Sequence, residues 1–87
     1  MKIVGLGDPE AMLGLRLAGI TEIYRPETRD DAVSLLVSLT EREDVGVIVI
    51  SSDFYRRIRN TIGEMREEHI FPLLVEIPTR QDLEERA

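Results

Sequence analysis

Three short apolar runs punctuate the chain: Ile3-Val4-Gly5-Leu6, Val45-Gly46-Val47-Ile48-Val49-Ile50 and Phe71-Pro72-Leu73-Leu74-Val75-Glu76-Ile77. They are rich in β-branched residues and continuous rather than alternating, the pattern of strands covered on both faces. A weaker run, Thr21-Glu22-Ile23-Tyr24, suits an edge strand.

The segments between these runs carry helical spacing, and each opens with a residue able to cap backbone amides. Asp8 precedes Pro9 and Glu10. The carboxylate can accept from unpaired N–H groups, proline is preset for the first turn, and both acids favour the positive end of the helix dipole. This helix is expected to run to Gly19, a good C-terminal stop. Thr28-x-x-Asp31 resembles a capping box ahead of Ala32, Val33, Leu35, Leu36 and Leu39, which predicts a second helix over roughly 29 to 42. Ser52 is placed to cap a third, in which Phe54, Ile58, Ile62, Met65 and His69 share a stripe while Arg56, Arg57, Arg59, Arg66 and Glu67 face outward. Gly63 inside it costs about 1 kcal/mol relative to alanine, so close packing is expected there.

The order strand, helix, strand, helix, strand, helix, strand has crossovers long enough for right-handed units. It predicts an α/β fold: a small open four-stranded parallel sheet, order 2-1-3-4, with helices on both faces, of flavodoxin-like or receiver-like type. The domain is expected to fill residues 1–78. Residues 79–87 form a polar tail that starts like another helix, with a Thr79-x-x-Asp82 box, and stops after barely two turns. A helix that short is marginal in water and is expected to need a partner.

Composition narrows the function. At 87 residues there is room for one domain, and 43% hydrophobic with 32% charged residues is a folded chain with a solvated surface. A net charge of -6 repels phosphate backbones and anionic lipid, so no nucleic-acid partner and no direct membrane insertion are expected. The apolar stretches are far shorter than the roughly 20 residues a spanning helix needs, and the opening residues do not form a signal peptide. A cytoplasmic domain is the expectation. With no cysteine and one histidine, no disulfide framework and no thiolate zinc site are available.

Candidate chemistry gathers at one end of the predicted sheet. Gly5-x-Gly7 follows the first strand as in a dinucleotide fingerprint, but Glu10 stands at the third glycine position, where an acid would repel a pyrophosphate. The glycines read instead as a tight turn capped by Asp8. The strand order brings Asp8, Ser51, Ser52 and Asp53 to the topological switch point. Asp8 and Asp53 there suggest, as an alternative function, a receiver-like signalling or adaptor module with a metal or phosphate site. Against it, the only lysine, Lys2, lies at the opposite strand end. His69 suits a dipole or packing role at a helix end.

The first helix is unusual, because Ala11, Met12, Leu13, Leu15, Leu17 and Ala18 surround it with apolar groups. Such a helix is either deeply buried or partly covered by another chain, which makes Met12 and Leu13 candidate partner contacts. Arg56, Arg57 and Arg59 form either a solvated face balanced by Glu64, Glu67 and Glu68 or a basic patch for an acidic partner.

The stretch Gly7-Asp8-Pro9-Glu10-Ala11-Met12-Leu13-Gly14-Leu15-Arg16-Leu17-Ala18-Gly19-Ile20 resembles the opening of the F subunit of archaeal and bacterial V/A-type ATPases, which carries a Gly-Asp segment and then Gly-Phe-Arg-Leu-Ala-Gly. Ala11 stands where threonine is common in that family, and Leu15 where phenylalanine is common. The similarity continues through the second helix, Val45-Gly46-Val47-Ile48-Val49-Ile50 and Leu73-Leu74-Val75-Glu76-Ile77-Pro78, so it covers nearly the whole chain. Family members usually continue past the Ile-Pro segment into a further helix that reaches toward the catalytic hexamer, so the chain is expected to be a shortened form. The resemblance implies a non-catalytic central-stalk component without a cofactor, peripheral to the membrane. It would bind the coiled-coil D subunit of the stalk and turn with it while ATP is handled on the catalytic A and B subunits. It also implies that the tail, with Thr79, Asp82 and Leu83, and the arginine face of the third helix contribute partner contacts.

Overall fold

The computed structural model describes residues 1–68 and 72–78. Along the chain these form β1 (Lys2–Leu6), α1 (Pro9–Leu17), β2 (Glu22–Tyr24), α2 (Arg29–Thr40), β3 (Val45–Ser51), α3 (Ser52–Glu68) and β4 (Leu73–Ile77). The four strands make one sheet in the order β2-β1-β3-β4, with every neighbouring pair parallel, as the sequence pattern predicts.

Local signals position the helices. The Asp8 carboxylate accepts from the Ala11 N–H at 2.9 Å, and the Thr28 hydroxyl accepts from the Asp31 N–H at 3.1 Å. Helix α1 ends at Leu17, two residues before Gly19. Gly19 takes φ 100 and donates to the Arg16 carbonyl, while the Ile20 N–H reaches the Leu15 carbonyl. This six-to-one, five-to-two pair is a Schellman stop, which needs the left-handed residue just beyond the last helical turn. Helix α2 closes at Thr40 rather than near 42, releasing Arg42 into the following turn.

Strand alternation sorts the core. Val4, Leu6, Ile48 and Ile50 point to one face, where they pack with Ala32, Leu36 and Leu39 of α2 and Phe54, Ile58, Ile62 and Met65 of α3. The other face belongs to α1: Met12 and Leu15 lie over Gly5, and Met12 and Ser51 crowd Gly7. Met12 and Val49 are buried outside the main cluster, under α1.

Two expectations need correction. A Cβ on Gly63 would meet no atom within 4 Å, so close packing does not explain that glycine, which sits on an exposed helix face. The β4 run is continuous and apolar, yet it is not covered on both faces. Leu73 is 65% and Val75 38% exposed, because β4 is an edge strand whose α1-side face has no described helix over it.

Candidate functional site

At the carboxyl ends of β1 and β3, where the strand order reverses, Asp8, Arg25, Pro26, Glu27, Asp53, Phe54 and Arg57 line an open recess of about 370 Å³. The sequence anticipates the meeting of Asp8 and Asp53 there. Both acids have structural duties: Asp8 caps α1, and Asp53 accepts from Arg56 at 3.1 Å across one helical turn. The Arg57 guanidinium stands 5.6 Å from the Phe54 ring centroid. Two arginines thus share the recess with its acids. Lys2, the lysine a receiver-like site would require nearby, is at the opposite strand end, 3.3 Å from Glu22.

That opposite end holds an ion network that the sequence does not announce. Arg42, in the turn after α2, grips Glu22 of β2 and donates to Asp44 at 2.8 and 3.0 Å, and Lys2 of β1 joins Glu22. The network ties the three-residue edge strand β2 to β1 and to the approach to β3. The Arg42 hydrogen bonds hold the Glu22 carboxyl down at about 2 against an ordinary 4.5, and Asp44 is lowered by the same guanidinium.

A carboxylate with a depressed folded pKa stabilises the fold above its unfolded pKa, and that contribution is lost as pH falls toward the folded value. Glu22→Gln is therefore expected to cost about 0.5 to 1 kcal/mol at pH 6, a figure reduced for solvent screening. The gap to the parent chain should close as pH falls from about 4.5 toward 2. Urea midpoints at pH 6 and pH 3 measure this, and parallel pH profiles for the two proteins would refute it.

The third feature is the α1 side of the sheet. Leu13 is 58% and Leu17 82% exposed, while Met12, the residue before Leu13, is buried. Beside the helix, Met12, Leu13, Arg16, Ile23, Tyr24 and Arg25 line a groove of about 300 Å³ between α1 and β2. On the other side of α1, register places Ile3, Val47 and Leu73 in one row and Val49 and Val75 in the next, so the partly exposed Ile3, Leu73 and Val75 form an apolar strip. Parallel sheets are normally covered on both faces, and a contiguous apolar surface of this kind marks a contact.

The partner residues named from the sequence therefore separate. Met12 forms the floor of the groove and Leu13 its rim, both on the α1 face. Arg56, Arg57 and Arg59 lie on α3, on the opposite face of the sheet. Thr79, Asp82, Leu83 and His69 lie outside the described residues. Among the described residues no helix is long and apolar enough to cross a membrane, and no three acidic or histidine side chains converge as metal ligands.

These features define an α/β domain of flavodoxin-like strand order whose charged groups brace the fold and whose α1 face is left uncovered by the described residues. The chain belongs to the ATP synthase (F/14-kDa) subunit family, which matches residues 3–87. It is 38% identical over 84 residues to the F subunit of the A-type ATP synthase of Pyrococcus furiosus, spanning 92% of this chain and 77% of that protein. Against the corresponding A-type F subunit of Methanococcus aeolicus, identity is 31% over 80 residues, spanning 92% and 76%. The F subunit of the V-type ATP synthase from Archaeoglobus fulgidus has the same fold, with a TM-score of 0.65 at 28% identity over 87% of this chain and 95% of that one. The partners of this chain are accordingly other subunits of the ATP synthase complex, whose work is ATP synthesis and ion transport.

Proposed function

We propose that this chain is a non-catalytic rotor part of the central stalk, binding the coiled-coil D subunit and helping to couple ATP synthesis or hydrolysis to ion transport. The observation that carries this reading is the uncovered α1 face. A domain this small leaves Leu13, Leu17, Ile3, Leu73 and Val75 at its surface only at a cost that a large partner would offset. A rod-shaped partner could cover helix and strip together, and the densely packed core on the other face would make the domain stiff enough to move with it.

In this reading the α1 face carries the shaft, and the α3 arginines, on the opposite face, make a second contact within the complex. Residues 79–87 contribute the contact with the catalytic A and B subunits. Calorimetric titration of the 87-residue chain with the D subunit from the same source is expected to show one-to-one binding. A titration without heat, confirmed by the absence of a co-eluting complex on gel filtration, would overturn the proposal.

A further inference from the structure

We infer that the groove between α1 and β2 seats an acidic amphipathic helix, with an apolar side chain inserted between Leu13 and Tyr24 and carboxylates meeting Arg16 and Arg25. This rests on the stalk reading above, since the helix is assigned to the coiled-coil partner. It adds the place of contact and the chemistry of the surface that fits it.

Charge favours an acidic occupant. The chain carries 17 acidic and 11 basic residues, and most described basic side chains are already occupied. Lys2 and Arg42 are held by Glu22 and Asp44, Arg56 meets Asp53, Arg29 reaches Thr61 and Arg57 stacks on Phe54. Arg16 and Arg25, like Arg59 on α3, are exposed with no ion-pair partner among the described residues, and of these three it is Arg16 and Arg25 that line this groove. Two exposed cations outside any ion pair beside an apolar groove, Arg25 also bordering the recess that holds Asp8, Glu27 and Asp53, favour an acidic occupant on a chain whose net charge of -6 would on average repel one.

Shape favours a helix. Leu13, Arg16 and Leu17 fall at i, i+3 and i+4 on α1, one ridge of a helix surface, with Leu13 and Leu17 exposed. Ridges of this spacing pack into the grooves of another helix. The edge strand β2 is only three residues long, too short to capture an extended peptide by backbone pairing. The buried Met12 gives the groove a deformable thioether floor that can adjust to the inserted side chain.

The test titrates the D subunit with the parent chain and with Arg16→Glu, Arg25→Glu and Arg29→Glu. The last makes the same change of charge outside the groove, and circular dichroism confirms the fold of each. The expected result is a loss of about tenfold or more for Arg16→Glu and for Arg25→Glu, against about twofold or less for Arg29→Glu. Added salt should shrink the difference.

Because the chain has no cysteine, Leu13→Cys carries a single photocrosslinker, expected to mark a stretch of the partner with helical apolar spacing flanked by Asp or Glu. Binding by the parent chain with all three variants within about twofold would overturn the groove assignment and leave the stalk reading standing. No binding by the parent chain would overturn both. A self-associated parent chain that Arg16→Glu makes monomeric would overturn the assignment to the stalk partner and give the groove to a second copy instead.

Discussion

Ile48→Ala is expected to lower the unfolding free energy by about 3 to 4 kcal/mol, within the range for a buried aliphatic side chain cut back where neighbours cannot collapse. Ile48 is fully buried on β3, an interior strand, and it points to the face shared by α2 and α3. Its neighbours on that face, Val4, Leu6 and Ile50, are also fully buried and fixed on paired strands, so the void has little means of closing. A domain of this length has about 4 to 13 kcal/mol of stability in all, so the loss is a large share of the total. Urea unfolding followed by circular dichroism measures it. Leu73→Ala on the exposed edge strand serves as the contrast, expected to change stability by about 0.5 kcal/mol or less. Equal losses at both positions would mean that β4 is covered in solution and that the core is not centred on β3.

How much of this was legible in the sequence depends on the range of the force involved. The strands could be read because continuous β-branched runs mark extended segments, although at β4 the run did not mean burial on both faces, and the helix starts because Asp8 and Thr28 act within three residues. The helix ends were less legible. Gly19 marked the stop of α1, but the Schellman geometry places the last helical residue two positions earlier. Nothing local announced the Glu22 and Arg42 pair, whose members are 20 positions apart and meet only once parallel register sets β2 beside β1.

The apolar wrapping of α1 was visible, and with it the choice between deep burial and a partner. Which side goes under was not. That is set by the phase of the helix against Gly5 and Gly7, which turns Met12 down and leaves Leu13 and Leu17 out. Likewise the sequence named Met12 and Leu13 together with Arg56, Arg57 and Arg59 as contacts, but could not show that the sheet stands between the two groups. Arg16 and Arg25 are nine positions apart, and only the packing of α1 beside β2 brings them to one groove.

The Gly5 and Gly7 pair carries the second large effect and gives a physical reason for a motif that resembles a nucleotide loop. A Cβ added at Gly7 would lie 2.8 Å from the Met12 Cε and from the Ser51 Oγ, and 2.9 Å from the Ser51 Cβ. Gly7 does not have a positive φ, so the cost of Gly7→Ala is packing rather than backbone strain. The methionine end can swing away, but Ser51 is fully buried on β3 and cannot. Overpacking of this kind costs about 1 to 3 kcal/mol, and we expect about 2 to 3 here because a strand is the obstacle. A double-mutant cycle locates the cause: in a Ser51→Gly background the loss from Gly7→Ala should fall by about 1 kcal/mol or more. If the two changes were additive, the contact would not be what excludes a side chain at residue 7. Because α1 also presents Leu13, Arg16 and Leu17, the proposed stalk role predicts that lifting it off the sheet weakens binding of the D subunit along with stability. Gly5-x-Gly7 is thus a spacing device that sets the height of α1 above β1.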